Sequence, residues 1–397
     1  MGKILISICI AIICLEGCAT NNGRKKTFTE HDIQTVSIDK AQNISVAANS
    51  CTAPIIDLND AVSDGTINAY ELIDTMFFVP LQTKEESIFF NPYRVYLDND
   101  RIYIEDKKFN ILIFDDKGNF IKSLTKGEGP GEINRVVGIA IDKQKLVVLQ
   151  ASDRLFSYYD KDGNFIEKGA RCPLNTSEFF ITDWGYILFQ STFENYHLGD
   201  NAKYALLLAN DNLNVVYKGI NVVKGYDHVY CGNLIFSTGN TCYVSQFFND
   251  TIYEVSKKNL SDIKIKYILD YSEKKAVDNN NLEMSDKFYN GSCVMENSGT
   301  QLFKFWSPRR GLCHVIRDKH TGKAIGGTHV NFNLNILPEY FGNLLTVHND
   351  YFVSYIPSYK GMHYDSPAVS NADNQKIAGR DEEDNGILAF FKFKEIK

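Results

Sequence analysis

Phe114-Asp115-Asp116-Lys117-Gly118-Asn119-Phe120-Ile121 returns 45 residues later as Tyr159-Asp160-Lys161-Asp162-Gly163-Asn164-Phe165-Ile166. Each copy reads as two strands joined by a polar hairpin, with Gly or Asn supplying the positive φ that a tight turn needs. The same offset lays 101–104 beside 146–149, with Ile102 on Val147. Weaker copies follow at 208–216 and 316–325. Around them, short runs of Val, Ile, Phe and Tyr alternate with Asp, Asn and Gly, the rhythm of an all-β chain.

Strand groups fall into about six units, at 92–126, 132–171, 176–222, 228–271, 289–332 and 341–396. A repeat of about 40–50 residues carrying four short strands is the signature of a propeller blade. A lone four-stranded sheet exposes both faces, so each unit must pack on neighbours around a closed ring. The expected fold is therefore an all-β, six-bladed β-propeller with about four antiparallel strands per blade. Closure requires an early strand beside the last blade, and 77–81 can lie along 387–393. A pair of β-sandwiches is the alternative, but it does not predict the offset of 45 residues.

The beginning of the chain carries a different pattern. Lys3 precedes a run, 4–15, that is apolar except for Ser7, and Leu15-Glu16-Gly17-Cys18 closes it. A charged start, about a dozen apolar residues and a small residue are the marks of a secretory signal peptide. The run is too short to cross a bilayer, which takes roughly 20 helical residues. Cysteine after Leu-x-Gly resembles a bacterial lipobox, and the resemblance implies cleavage before Cys18 and acylation of its thiol. An ordinary secreted protein is the bland alternative. The expected organisation is 1–17 signal peptide, 18–72 lipidated N-terminus, tether and ordered lead-in, and 73–397 propeller.

Forty-two Lys and Arg against 49 Asp and Glu leave a formal charge of −7, the wrong sign for binding nucleic acid. Of nine cysteines, Cys9 and Cys14 leave with the signal and Cys18 takes the lipid. Cys51, Cys172, Cys231, Cys242, Cys293 and Cys313 are irregularly spaced and lack a Cys-x-x-Cys pair, so buried free thiols are expected rather than zinc ligands.

Residues 101–106, 113–121 and Gly127-Glu128-Gly129-Pro130-Gly131-Glu132, with Val79-Pro80-Leu81-Gln82-Thr83 before and Phe390-Phe391-Lys392-Phe393 at the end, resemble the six-bladed propeller lipoproteins of Bacteroidetes. Their fold is similar to NHL-like and TolB-like propellers, many of which bind partners or ligands without catalysis. In lipoproteins of that group an acidic run after the cysteine goes with surface export. Here Ala19 to Lys26 is polar and basic, so the resemblance implies the periplasmic face of the outer membrane.

Sites are harder to read. Gly127 to Glu132 leads into a strand rather than a helix, and Pro130 lacks an amide donor, so the loop is no phosphate cradle. It reads as a blade connection, or as a mouth loop offering Glu128 and Glu132 with Arg135 nearby. Asp160 to Asn164 faintly suggests a calcium loop, but the twelfth position is Arg171, not Glu, and a hairpin explains it. Arg309 and Arg310 sit in a basic turn that could meet an anion. Tyr196 and Tyr359, with Trp184, Trp306 and Tyr289, are candidate sugar-stacking platforms or simply core. Eight scattered histidines form no metal motif, and no nucleophile motif is present.

The expectations are accordingly Cys18 for lipidation, and Glu128, Glu132, Arg135, Tyr196, Arg309, Arg310 and Tyr359 as ligand contacts, with no catalytic residue, metal or cofactor assigned. Long irregular segments at 193–203 and 359–384 would rim the site. The function read from this is a membrane-anchored binding or scaffolding module of the cell envelope, with an envelope protein or a glycan as ligand. The alternatives are a hydrolase or lyase working in the channel, or a structural partner of an envelope transporter.

Overall fold

The computed structural model describes residues 28, 38–44, 52–89, 92–190, 195–222, 235–238, 240–260, 263–275, 286–331 and 344–397. The expected signal peptide and lipidation site, Cys18, lie outside them. Among the described residues six sheets are blades with four antiparallel main strands, in chain order in the first five: blade 1 at 92–123, blade 2 at 136–171, blade 3 at 176–221, blade 4 at 235–270 and blade 5 at 289–327; blade 6 takes three strands from 344–393 and its fourth from Ile73–Pro80. The first strands of successive blades, Pro92–Asp98, Val136–Asp142, Thr176–Thr182, Ile235–Thr238, Tyr289–Glu296 and Leu344–His348, touch in sequence, and the last touches the first. The ring is closed, and the protein is a six-bladed β-propeller.

Among the described residues four strands precede blade 1: β1 (Gln42–Asn43), β2 (Ile55–Asp57), β3 (Thr66–Asn68) and, after the one-turn helix α1 (Ala69–Leu72), β4 (Ile73–Pro80). β4 is the fourth strand of blade 6, paired antiparallel with Ile387–Phe393, with Phe78 opposite Ala389 and Pro80 opposite Ile387. Strand alternation sends Met76 and Phe78 into one core and Phe77 and Val79 into the next, so β4 seals blade 6 on both faces.

β1 to β3 form a belt around the rim. β1 adds in parallel to Val215–Asn221, the outer strand of blade 3. β2 adds in parallel to Ile263–Asp270 on blade 4, and β3 to His329–Asn331 beside blade 5. An outer propeller strand otherwise exposes unpaired N–H and C=O groups, and the belt satisfies them blade by blade before the chain enters the ring. The described part of the segment expected to be tether and lead-in is thus integrated with the propeller.

The repeated octapeptides are the turns between third and fourth strands. Asp115 accepts from the Lys117 and Asn119 amides at 2.9 and 2.8 Å, and Asp160 from Asp162 and Asn164 at 2.9 and 2.8 Å. Gly118 and Gly163 hold φ of +84° and +81°. Asn210 and Asp318 repeat the device in blades 3 and 5, where Leu213 and Gly322 take the positive φ. The Asp115 and Asp160 carboxylates are spent on their own turns, and Asp318 also accepts from the Ile396 amide at 3.1 Å. Cys172, Cys242 and Cys313 are buried and unbridged, and burial pushes the Cys242 thiol up to about 12.

Candidate functional site

Antiparallel order sorts the connections into two ends. Turns between second and third strands, and crossovers between blades, lie at one end, the crossover end. Turns joining first to second and third to fourth strands lie at the other, the turn end. All seven candidate contact residues fall in crossover-end connections: Glu128, Glu132 and Arg135 between blades 1 and 2, Tyr196 in blade 3, Arg309 and Arg310 in blade 5, and Tyr359 in blade 6.

There they do not converge on one cavity. Glu132 folds back under its own loop and accepts from the Gly129 amide at 2.8 Å. A Cβ on Gly127 would meet the Glu132 carboxylate at 2.0 Å, so the glycines exist to let the side chain in. Glu128 is exposed, and the Arg135 guanidinium lies 5.8 Å from the centroid of the Phe109 ring. Arg310 pairs with Asp64 of the belt at 2.9 Å and with Asp286 at 3.4 Å, while Arg309 is exposed in the same turn. Tyr196 meets the Phe28 ring edge-on at 5.6 Å, and Tyr359 packs partly buried against the largest core cluster.

Residues 359–384, expected as a ligand-facing loop, are mostly exposed but plug the core with five buried side chains, Met362, Tyr364, Val369, Asn374 and Ile377. Met362, Tyr364 and Ile377 are sealed in the core, the last on helix α2 (Asn371–Ile377), which Ser370 caps by accepting from the Asp373 amide. The Asn374 side chain brackets the Tyr364 backbone, accepting from its N–H at 2.8 Å and donating to its C=O at 2.9 Å. Arg380 donates to the carbonyls of Leu81 and Asn385 at 2.8 and 2.5 Å, tying the segment to the closing strand.

A polar cavity opens at the turn end instead. It measures about 570 Å³ and is lined by Tyr243 and Lys266 of blade 4, Glu296, Asn297, Ser298 and Lys319 of blade 5, and Asn349 and Asp350 of blade 6. That volume suits a small ligand or a short polymer segment. The charges arrive paired. Lys266 reaches Glu254 at 2.8 Å, and Lys319 lies 3.7 Å from Glu296, whose other oxygen accepts from Gln301 at 2.9 Å. Asp350 takes the Ser298 amide at 2.7 Å, its hydroxyl at 2.9 Å and Lys392 at 2.7 Å. Burial works to raise the Asp350 carboxyl, but Lys392 and Ser298 outweigh it and hold it below its ordinary range. The lining itself balances, with Lys266 and Lys319 against Glu296 and Asp350. These residues carry no motif; their one sequence signal is the polar turn between strands, repeated at 296–299 and 348–350.

A third polar feature lies inside the ring. Arg94 and Glu105 are cross-strand partners in blade 1, with NH1 3.5 Å from Oε2, and Arg94 also donates to the Val137 carbonyl of blade 2 at 2.5 Å. Gly138 leaves room for the guanidinium, since a Cβ there would stand 3.0 Å from NH1. Arg94 Nε and Glu105 Oε1 are buried without a hydrogen-bond partner among the described residues. Burial, only partly offset by Arg94, pushes the Glu105 carboxyl up to about 7. Among the described residues no three His, Cys, Asp or Glu side chains gather as a metal site.

A closed ring of six blades makes this a six-bladed β-propeller protein. Residues 53–392 match the family described as domain of unknown function DUF4934, and the chain belongs to that family. No curated protein matches the sequence. Among solved structures the fold is similar to that of a "putative exported protein" of Bacteroides fragilis, at TM-score 0.69 and 18% identity, covering 86% of this chain and 100% of that one. A member of the DUF4221 family from Bacteroides vulgatus is also similar, at TM-score 0.48 and 12% identity over 82% of this chain and 98% of the other.

Proposed function

We propose that this protein is a binding or scaffolding propeller of the cell envelope, lipid-anchored through Cys18 at the periplasmic face of the outer membrane. We place its ligand, a polar glycan or a segment of an envelope protein, in the turn-end cavity. The observation that carries this reading is the cavity itself, whose paired charges present fixed donors and acceptors without net charge. The carboxyl best tuned for proton transfer, Glu105, is sealed from solvent, where it has no access to a substrate. We therefore read the cavity as a binding site rather than one for hydrolysis or elimination, in the manner of NHL-like or TolB-like propellers. The fold's similarity to an exported Bacteroides protein supports an envelope location.

The test is retention. Oligosaccharides and detergent-solubilised proteins from envelopes are passed over immobilised wild type, Lys319→Glu and Asp350→Ala. Retention of a species by wild type and its loss from both variants is the expected result. Identical retention by all three would show that the cavity is not the site.

A further inference from the structure

The chain reaches the ring from the crossover end, between blades 2 and 3. Phe28 is buried there, with the His197 ring at 3.7 Å, the Tyr196 ring edge-on at 5.6 Å and the Arg154 guanidinium 4.4 Å from its centroid. Arg154 belongs to the blade 2 crossover turn, and Tyr196 and His197 to that of blade 3. Ten residues later a second contact set holds the same region. The Lys218 ammonium donates to the Ile38 carbonyl at 3.1 Å and to Asn201 at 2.9 Å, while Asn201 donates to Asp39 at 2.6 Å. Ile38 and Ala41 are buried in the core shared by blades 2 and 3. Only then does the belt begin, at β1.

Only ten residues separate Cys18 from Phe28, a fully extended reach of about 33–36 Å. Arg24, Lys25 and Lys26 fall within that reach, and cations beside an anionic surface are attracted to it. We infer that the anchored propeller stands with its crossover end toward the bilayer and its turn-end cavity facing away, oriented by the docking of Phe28 and Ile38–Lys40 on blades 2 and 3. The inference rests on the proposed lipidation of Cys18. It makes the crossover end a membrane-facing surface and leaves the cavity open to partners arriving from the aqueous side.

The acylated full-length protein is reconstituted in liposomes containing anionic phospholipid and an acceptor-labelled lipid. A donor dye is placed through an azide-bearing residue either at Arg135, exposed at the crossover end, or at Ser298, exposed at the turn end. Transfer to the bilayer should be several-fold stronger from position 135. Equal transfer, or the reverse order, would overturn the orientation. The double variant Phe28→Ala, Asn201→Ala should bring the two positions toward equality; an unchanged difference would overturn docking as its cause. Liposome flotation read in parallel, with Cys18→Ala as control, separates the two readings. If the protein does not float, lipidation fails; if it floats without orientation, only this inference fails.

Discussion

The two ends of the ring use their polar groups differently. At the crossover end the connections run from the short turn 308–310 to the long passage 357–386, and they spend their side chains on the chain itself: Glu132 under its own glycines, Arg310 on the belt, Asn374 and Arg380 on the blade 6 plug. At the turn end the connections are short hairpins, yet between blades 4 and 6 they leave a cavity of about 570 Å³. Long loops are where function is ordinarily sought. In this ring length reports an architectural task, sealing a propeller whose closing strand comes from the far end of the sequence, and the short turns are left free to face a ligand.

If that contrast holds, the largest effect lies in the plug. Tyr364 is fully buried, its ring stacked on Phe78 at 5.1 Å. Tyr364→Ala should cost about 3–5 kcal/mol, as for large aromatic truncations in a core, and deleting 359–384 should abolish cooperative unfolding. Urea denaturation followed by tyrosine and tryptophan fluorescence reads both. A change of less than about 0.5 kcal/mol would return the segment to the status of a dispensable surface loop.

Next in size is a pH effect inside the ring. The Glu105 carboxyl holds its proton up to about 7 in the folded state against 4.5 when free, so between those values the native protein binds more protons than the unfolded chain. Stability contributed by this group therefore falls as pH rises from about 4.5 to about 7, by at most about 3 kcal/mol. Glu105→Gln should lack that fall, which denaturation at a series of pH values would detect as a sloping difference between the two proteins. Parallel curves would show that Glu105 titrates normally.

The sequence disclosed what repeats locally. Asp115 to Asn119 and Asp160 to Asn164 share one turn chemistry, and 77–81 and 387–393 are both almost wholly apolar runs, as strands buried on both faces are. The belt was hidden, since β1 to β3 are two or three residues each, too short to show a period. The plug was hidden because Met362, Tyr364 and Ile377 follow neither a helical nor a strand spacing, and their burial depends on β4, nearly three hundred residues earlier. The cavity was hidden for a third reason: its walls are turn residues of three blades, ordinary one by one and joined only when the ring closes.

A medium effect distinguishes closure from plug. The Asn385 side chain donates to the carbonyls of Gln82 at 2.9 Å and Ser87 at 2.8 Å, fastening the strand that closes blade 6 to the chain leaving β4. Asn385→Ala takes the donor from the buried Ser87 carbonyl, while the Gln82 carbonyl keeps the Ser87 hydroxyl, and should cost about 1–3 kcal/mol. Hydrogen exchange locates the damage: lost protection should concentrate in 73–89 and 387–393. Loss spread evenly over all blades would mean that the ring has no weak seam.

The smallest stability change is that of Arg310, and set against Asp350 it carries the sharpest functional contrast. Arg310→Ala at the crossover end removes a half-exposed pair with Asp64, and Asp350→Ala at the turn end removes one with Lys392. Arg310→Ala should shift stability by no more than about 1 kcal/mol, because partly exposed ion pairs gain little over their hydrated partners; Asp350→Ala also loses the bonds from the Ser298 amide and hydroxyl and should cost more. The Arg310 deficit should also shrink toward zero in about 1 M salt, where screening acts within about 3 Å. Binding should separate them. Arg310 holds the belt and touches no part of the cavity lining, so its loss should leave retention of the envelope ligand intact; Asp350 is part of the lining, so its loss should abolish retention. Equal loss from both variants would mean that belt and cavity act as one unit, and the division of labour between the two ends would then have to be abandoned.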